Sequence, residues 1–428
     1  MTRKRVRGFG LKLLIADTLP PSHVDTLRKI VGEVEYDPDL TDESLIDRIR
    51  GARILVVRGT KVRAQAIEAG TELELIVRAG AGTENIDMAA ASAKGVYVTN
   101  CPDKNAAAVA ELTFGLLLAV DRRIPEQNAA LKERKWEKSA FQHADGLKGR
   151  AFGVVGVGSI GREVIKRAKS FDMQVIAWSR SLTDRRAAEL GVSRASSVDE
   201  LIQECDIISL HVALTAETKH LISAERIARM KQGTIIVNTA RGAVIDNVAL
   251  AEALKKGRIR AVLDVYEREP AEGEGVFLDV LAGVPNWVGT HHVGASTMQA
   301  QRATADETVR IIEHYLMTGD VENCVNFAQE TSATYELIIR HYDRIGVLTR
   351  ILTDLRESRI GVHEVHNVIF EGANAAVAHI QIDTYPTNQV IERISSRKTE
   401  IISLRIVKLQ PPSSDVQLDK STTLDSTD

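Results

Sequence analysis

A glycine-rich turn stands between a predicted strand and a predicted helix near the middle of the chain. Residues 151–155 are apolar, Gly156-Val-Gly-Ser-Ile-Gly161 follows them, and an amphipathic pattern continues to Lys169. The first glycine permits a tight turn, Gly158 lets a phosphate approach the backbone, and the third allows the helix to pack closely on the strand. The turn also directs the N–H groups and the positive dipole end of the helix to one point. This context favours a dinucleotide site over a structural glycine turn in some other α/β protein.

Short β-rich runs alternate with helical stretches over most of the chain, which predicts α/β layers with parallel sheets. One series begins at residue 11 and precedes an apolar helix over 106–120, and a second series begins at the glycine turn and ends near His292. Residues 296–318 predict one long helix. Beyond residue 331 the predicted order changes to βαββαβ, which is the ferredoxin-like arrangement. The sequence therefore predicts two α/β units followed by a smaller unit.

The composition excludes several classes of protein. Lys and Arg number 55 against 58 Asp and Glu, a formal net charge of -3, so the chain lacks the basic field of a nucleic-acid binder. The longest apolar run, 106–120, contains Glu111 and is shorter than the roughly 18 residues that span a bilayer. The cysteines Cys101, Cys205 and Cys324 form no CxxC pair. We expect a cytoplasmic protein with a small-molecule partner and no nucleic-acid, membrane or metal partner.

Ionisable residues follow the predicted strands of the second series, where parallel sheets bind ligands. They are Arg241, Asp264, Glu269 and His292. Hydride transfer from a hydroxy acid needs a base for the hydroxyl proton, a cation for the carboxylate or carbonyl oxygen, and a group that orients the base. His292, Arg241 and Glu269 suit these roles, because a carboxylate beside an imidazole favours its protonated form and fixes the ring. Each residue alone is more typical of an ion pair, but together they favour hydride transfer.

The end of the strand after the glycine turn bears on the choice of dinucleotide. Folds that bind NAD place Asp or Glu about 20 residues after the turn, where it accepts hydrogen bonds from the ribose hydroxyls. Here the strand ends in Ser179 and Arg180. No carboxylate repels a 2'-phosphate and Arg180 is available to pair with one, although a solvent-exposed arginine is the alternative interpretation. Use of NADP is therefore left open.

Several further segments occur in a fixed order around these residues. They are VVRGTKV, RAGAGTENID, NCPDKNAAAVAELTFGLLLA, NTARG, LDVYEREP and HHVGAST. Over about residues 11–325 the chain resembles the D-isomer-specific 2-hydroxyacid dehydrogenase family, and most closely its branch that oxidises D-3-phosphoglycerate. The resemblance implies an α/β fold in which a Rossmann-type doubly wound nucleotide domain, residues 103–294, is inserted in a flavodoxin-like substrate domain, residues 1–102 and 295–330. Residues 331–410 resemble an ACT domain of ferredoxin-like βαββαβ order, and residues 411–428 are predicted to be a disordered tail.

The resemblance also assigns roles to matching positions. Arg241 binds and polarises the substrate, His292 is the acid and base, and Glu269 is its partner. Arg58 and Arg78, which end predicted strands, and Gly80 contact the substrate, the two arginines at its phosphate. The cofactor positions implied by the glycine turn and the family together are Gly156, Gly158, Ser159, Ile160, Gly161, Ser179, Arg180, Val212, Thr239, Ala240, Asp264 and Gly294.

The implied activity is the NAD-dependent oxidation of D-3-phosphoglycerate to 3-phosphohydroxypyruvate, the first step of serine synthesis, with NADP as a second candidate cofactor. A hydroxypyruvate or glyoxylate reductase is the enzyme alternative, and a nucleotide-sensing corepressor on the same fold is the non-enzyme alternative. The ACT-like segment implies an amino-acid effector or a role in pairing subunits, and we expect a homodimer or homotetramer. Asp343, Ile345 and Gly361 depart from the family pattern, so the effector is left open.

Overall fold

The computed structural model describes residues 11–270, 275–328 and 331–409. The chain divides into two compact units, Met1–Asn326 and Phe327–Asp428. The first contains two parallel sheets and the second an antiparallel sheet, which confirms the predicted fold class. The predicted tail at 411–428 lies outside the described residues. Within the described ranges, no helix combines the length and the apolar character needed to cross a bilayer.

The first sheet is built from apolar runs that are covered on both faces. Its strands and helices are β1 Lys12–Ile15, α1 Pro21–Val31, β2 Glu33–Tyr36, α2 Asp42–Arg48, β3 Ala52–Val57, α3 Ala64–Ala69, β4 Leu75–Arg78, α4 Met88–Ala93 and β5 Tyr97–Asn100. The strands pair in parallel in the order β2-β1-β3-β4-β5, which is the flavodoxin-like order. Residues 54–57 of β3 are each at most 1% exposed, because helices cover both faces of such a sheet.

The second sheet follows a long apolar helix. Its elements are α5 Ala106–Asp121, α6 Ile124–Lys132, a 3-10 turn Lys138–Phe141, β6 Ala151–Val155, α7 Ser159–Ser170, β7 Gln174–Trp178, α8 Asp184–Leu190, β8 Ser193–Arg194, α9 Val198–Glu204, β9 Ile207–Leu210, α10 Ala224–Arg229, β10 Ile235–Asn238, a 3-10 turn Gly242–Val244, α11 Asn247–Lys255, β11 Arg260–Leu263 and β12 Trp287–Gly289. The strand order is β12-β11-β10-β9-β6-β7-β8. The strand order proceeds from β6 to β7 and β8 on one side of the sheet and continues from β9 on the other side of β6. In parallel sheets, a ligand crevice forms at the carboxyl ends of the two strands where the order changes in this way.

One long helix returns from the second sheet to the first. It is α12, Met298–Thr318, and it begins two residues after the predicted start because Thr297 caps it by accepting a hydrogen bond from Ala300 N at 3.1 Å. Its apolar side chains Ala305, Ile311 and Ile312 join the core formed by Leu13 and Ile15 of β1. Further along, Val98 N donates to Asn326 Oδ1 at 2.9 Å. We call the first sheet, its helices and α12 the first lobe, and residues 106–294 the second lobe.

The second compact unit is an antiparallel sheet with two helices. Its elements are β13 Tyr335–Tyr342, α13 Val347–Glu357, β14 Val362–Ile369, β15 Ala375–Ile382, α14 Asn388–Ser395 and β16 Ile401–Lys408, in the strand order β14-β15-β13-β16. Alternate residues of β15 are buried, since only one face of the sheet packs against the helices. This βαββαβ arrangement is the one that the sequence predicts.

Candidate active site

The glycine turn after β6 is shaped for close approach of a ligand to the backbone. Gly156 has a φ of +98°, and a Cβ there would lie 2.4 Å from the carbonyl oxygen of His211. A Cβ on Gly161 would lie 2.1 Å from the carbonyl oxygen of Gly156, so α7 packs directly on the turn. Gly158 instead faces open space, since a Cβ there would meet nothing within 4 Å, and no side chain caps the N-terminus of α7. These features fit the pyrophosphate of a dinucleotide.

The two residues that follow β7, Ser179 and Arg180, provide no carboxylate of their own, but the pKa of nearby Glu217 is lowered by the hydrogen bond from Thr215 and, to a smaller extent, by the charge of Arg180. Ser179 follows β7 and is half-buried, whereas Arg180 is exposed. Val212 lies against the glycine turn, since its Cγ1 would be 3.0 Å from a Cβ on Gly156. Ser179 and Arg180, the residues predicted to lie near the adenosine ribose, directly follow β7, and they are the positions that bear on the choice between NAD and NADP.

A histidine and a carboxylate meet after the last strands of the second sheet. His292 Nδ1 lies 2.7 Å from Glu269 Oε2, and Glu269 Oε1 accepts from Tyr266 N at 2.9 Å. The hydrogen bond that His292 donates to Glu269 raises the pKa of His292 against the opposing effect of burial. Burial would raise the pKa of Glu269, but the hydrogen bond from His292 and the Tyr266 N–H lower it overall. The carboxylate therefore favours the imidazolium form and orients the ring through Nδ1, and Nε2 makes no hydrogen bond to a described residue.

Asp264 fixes the loop that carries His292. Its Oδ1 accepts from Thr290 Oγ1 at 2.6 Å and from Val293 N at 2.9 Å, and its Oδ2 accepts from Gly294 N at 2.8 Å. His292 N donates to the carbonyl oxygen of Asp264 at 2.8 Å, and His292 has a left-handed φ of +53°. The buried carboxylate thus holds the loop in the conformation that presents the imidazole.

Arg241 lies between the lobes and contacts both. Its Nε and Nη2 lie 2.8 and 2.7 Å from Oε1 of Glu84 in the first lobe, and its Nη1 donates to the carbonyl oxygen of Ala240 at 2.7 Å. Burial would raise the pKa of Glu84, but the positive charge of Arg241, with that of Arg78, lowers it overall. Thr239, just before Arg241, is buried and its hydroxyl lies 3.1 Å from that of Thr113.

The two predicted phosphate ligands come from the first lobe. One oxygen of Asp17, Oδ2, accepts from the N–H groups of Arg58, Gly59 and Thr60 at 2.6, 3.1 and 3.1 Å, which anchors the loop carrying Arg58. Arg78 folds over Gly80, where no Cβ could fit because it would lie 1.4 Å from Nη1. Burial lowers the pKa of Arg78, and its Nε is buried with no hydrogen-bond partner in the structure.

These groups open into one cavity of about 560 Å³ between the lobes. The predicted residues that line it are Arg58, Arg78, Gly80, Ile160, Thr239, Arg241, Asp264, His292 and Gly294. The remaining predicted residues lie outside its wall: Glu269 behind His292, and Gly156, Gly158, Ser159, Gly161, Ser179, Arg180, Val212 and Ala240 around the glycine turn or beside Arg241. Among the described residues, no group of three or more His, Cys, Asp or Glu side chains is placed to hold a metal ion.

Sequence reasoning missed three residues of this site. Asp17 and Glu84 follow the carboxyl ends of β1 and β4, and that position relative to a parallel strand is the signal that could have found them. Arg302 lies near the start of α12 and lines the cavity, with no ion-pair or hydrogen-bond partner among the described side chains. No sequence pattern marks it, because its position depends on where α12 packs.

The fold and the cavity together define a class of protein: a two-lobed dehydrogenase whose second lobe binds a dinucleotide and whose cleft holds a His–Glu pair beside an arginine. Comparisons with known proteins agree. Residues 114–294 match the family described as "D-isomer specific 2-hydroxyacid dehydrogenase, NAD binding domain". The chain belongs to the D-isomer-specific 2-hydroxyacid dehydrogenase family, as predicted, and NAD is the cofactor of its nucleotide-binding domain.

Individual relatives extend the match beyond that domain. The D-3-phosphoglycerate dehydrogenase of Methanocaldococcus jannaschii is 44% identical over 320 residues, which is 74% of this chain but only 59% of that protein's length. The hydroxypyruvate reductase of Thermotoga maritima is 45% identical over 275 residues, which is 64% of this chain and 88% of that protein. The NAD+-bound 3-phosphoglycerate dehydrogenase of Entamoeba histolytica superposes with a TM-score of 0.62 at 26% identity, covering 74% of this chain and 99% of that one.

Proposed function

We propose that the chain catalyses the NAD(P)-dependent oxidation of D-3-phosphoglycerate to 3-phosphohydroxypyruvate. The glycine turn at Gly156, Gly158 and Gly161 would hold the oxidised dinucleotide, which would supply the acceptor for the hydride from C2 of the substrate. His292 takes the hydroxyl proton at Nε2, because its Nδ1 is bound to Glu269, and that carboxylate stabilises the imidazolium that forms. Arg241 holds the substrate carboxylate and polarises the oxygen on C2. In the reverse direction His292 returns the same proton.

Unpaired positive charge in the cavity is the observation that supports a phosphorylated substrate. The guanidinium groups of Arg58 and Arg302 have no ion-pair or hydrogen-bond partner among the described residues, and Arg78 has a buried, unpartnered Nε. The one carboxylate in the cavity wall, Asp264, has both oxygens bound to its own loop. A cavity with this excess of guanidinium groups favours a substrate with a second anionic group beyond the carboxylate at Arg241.

Two specific observations favour the reduction of hydroxypyruvate as a second candidate. The Thermotoga maritima relative of that name is matched over 88% of its length, so the shared region comprises most of that protein. In addition, Ser179 and Arg180 lack the carboxylate that would repel NADPH, a reductant. Both candidates use the same His292, Glu269 and Arg241 chemistry and differ in the distal group of the substrate.

Steady-state turnover of the purified full chain separates these candidates. The substrates are D-3-phosphoglycerate, 3-phosphohydroxypyruvate, hydroxypyruvate and glyoxylate, each with NAD(H) and with NADP(H). A kcat/KM at least tenfold higher for the phosphorylated keto acid than for hydroxypyruvate is expected if Arg58 and Arg78 bind phosphate, since one charge-assisted bond contributes about 1.5 to 3 kcal/mol. Equal or higher kcat/KM for hydroxypyruvate would make the chain a reductase of unphosphorylated acids.

The second compact unit is proposed to bind an amino-acid effector or to pair subunits. Its βαββαβ order supports this role, and its outer strand β14 has all eight residues exposed, so its backbone is accessible to a second chain. We expect a homodimer or homotetramer. Sedimentation velocity of the full chain, with and without serine, tests subunit pairing, and a monomer contradicts it. Steady-state turnover in the presence of each of the twenty amino acids tests the effector site, and turnover that none of them changes contradicts it.

A further inference from the structure

The ion pair between Glu84 and Arg241 joins the lobes at the catalytic centre. Glu84 lies in the loop after β4 of the first lobe, 157 residues before Arg241 in the second. A single carboxylate oxygen, Oε1, takes both contacts, 2.8 Å from Nε and 2.7 Å from Nη2. Glu84 is 64% exposed at its side chain and Arg241 is 35% exposed, so the pair does not lie in a core; of the two, Arg241 lines the cavity.

The loop leaves room for this pair at one glycine. A Cβ on Gly82 would lie 2.3 Å from Oε2 of Glu84 and 2.6 Å from Nη2 of Arg241. Any other residue would therefore displace the carboxylate or the guanidinium. Both side chains of the pair therefore occupy the space that a side chain at position 82 would fill, and Glu84 contacts Arg241 on the side that faces Gly82.

Counting the donors of Arg241 shows which edge is left for a substrate. A guanidinium has five N–H donors. Glu84 Oε1 accepts from Nε and lies 2.7 Å from Nη2 as an ion pair, and the carbonyl oxygen of Ala240 accepts from Nη1. Each terminal nitrogen therefore keeps at least one N–H that makes no hydrogen bond in the structure, and the Nη1 and Nη2 edge is the one that a carboxylate binds bidentately when it approaches end-on.

We propose that Glu84 is a positioning residue for the reaction: by holding the Nε side of Arg241 it presents the Nη1 and Nη2 edge to the carboxylate of the 2-hydroxy acid. This inference rests on the proposed function, because it assumes that Arg241 binds that carboxylate. Without Glu84 the substrate carboxylate has two competing edges of Arg241 to bind. Binding persists, but C2 is displaced from His292 and from the dinucleotide in a fraction of the complexes.

The test measures kcat and KM separately for Glu84→Ala, Glu84→Gln and Glu84→Asp in the full chain with saturating dinucleotide. We expect kcat to fall about tenfold to a hundredfold in Glu84→Ala, because a displacement of about 1 Å at the reacting atoms has effects of that size, while KM for the keto acid stays within about threefold of wild type. Glu84→Asp should recover most of kcat, and Glu84→Gln, whose amide oxygen is a weaker acceptor, should fall between them.

Glu68→Gln provides the matched control, because Glu68 is an exposed carboxylate on α3 of the same lobe and its side chain makes no hydrogen bond or ion pair in the structure. Its kcat and KM should equal those of wild type. A wild-type kcat in Glu84→Ala, or a KM that rises while kcat stays constant, overturns the positioning role. A loss of thermal stability with unchanged kcat per folded enzyme would mean that the pair is merely structural. Wild-type enzyme that turns over none of the 2-hydroxy or 2-keto acids overturns the proposed function itself, and this inference with it.

Discussion

Replacing Glu269 by glutamine tests the His–Glu pair most directly. The substitution preserves shape and removes the charge that lies 2.7 Å from His292 Nδ1. A charge-assisted hydrogen bond contributes about 1.5 to 3 kcal/mol, but His292 is 48% exposed at its side chain, and solvent screening reduces the expected contribution to about 1 to 2 kcal/mol. In the oxidation His292 becomes an imidazolium, so losing this stabilisation should lower the plateau kcat/KM about five- to thirtyfold.

The pH dependence provides the second readout. The hydrogen bond that His292 donates to Glu269 is the largest cause that raises the pKa of His292, followed by burial, which lowers it, and the negative charge of Glu269, which raises it. Removing that charge should therefore lower the pKa of His292, although the charge of Asp264 still acts to raise it. Oxidation requires neutral His292, so its rate rises with pH, and reduction requires the protonated form, so its rate falls with pH. Both profiles should move to lower pH by the same amount in Glu269→Gln, since both report the same group in the free enzyme.

A nearby pair gives the control for this experiment. Glu267 lies 3.3 Å from His220 Nε2, and neither residue lines the cavity. Glu267→Gln makes the same chemical change two residues away and should leave both profiles at their wild-type positions. If Glu269→Gln keeps the wild-type profile and loses less than about twofold in kcat/KM, the assignment of His292 as the proton carrier is refuted.

Three further predictions concern the substrate, the cofactor and stability. Arg58→Ala should raise the KM for 3-phosphohydroxypyruvate tenfold or more and leave that for hydroxypyruvate unchanged, because one charge-assisted bond to phosphate contributes about 1.5 to 3 kcal/mol; equal changes for both acids would contradict the phosphate role. Ser179→Asp should lower kcat/KM with NADPH about tenfold relative to NADH, because the new carboxylate repels a 2'-phosphate, and unchanged kinetics with NADPH would show that the ribose lies elsewhere. Hydrogen bonds from Arg310 lower the pKa of Glu307 to about 2. Because the folded-state pKa lies below the unfolded one, the stabilisation is present above about pH 4.5 and is lost as the pH falls towards 2. Glu307→Gln should therefore lower the free energy of unfolding at pH 7, measured by urea denaturation, by about 1 to 2 kcal/mol, and it should lower it much less at pH 3. An equal loss of stability at pH 7 and at pH 3 would contradict the ion pair.

Local patterns in the sequence were sufficient to predict the sheets and the glycine turn. The apolar runs that became β3 and β6 are short and bounded by glycine or arginine, and the run at 106–120 is long enough only for a buried helix, so each pattern indicates one kind of element. The order of helices and strands in the second compact unit was predicted in the same way, because its apolar residues recur with the helical period of 3.6 in α13 and with the strand period of 2 in β15. These features depend on neighbours within a few residues along the chain.

The contacts that orient the site depend on residues far apart in sequence. Nothing along the chain connects Glu84 with Arg241, and no periodicity shows that one oxygen of Asp17 accepts three backbone N–H groups from residues 58–60. Arg302 lines the cavity only because α12 returns to the first lobe. Sequence motifs predicted the groups that we propose to react, whereas the residues that hold those groups emerged only from the packing of the two lobes.

The return of α12 has a consequence for the order in which the chain folds during synthesis. Asn100 ends β5 and α12 ends at Thr318, so the ribosome adds 218 further residues before the helix that completes the core of β1 is fully synthesised. Ile311 is added 298 residues after Leu13, and at about 5 to 20 residues per second the apolar side chains of β1 therefore remain without this part of their core for about 15 to 60 seconds. The second lobe, which is one continuous stretch, is free to fold during that interval. The nascent chain therefore needs protection from aggregation chiefly at its earliest strands, and a chain halted before Met298 would retain a formed nucleotide lobe beside an incomplete substrate lobe.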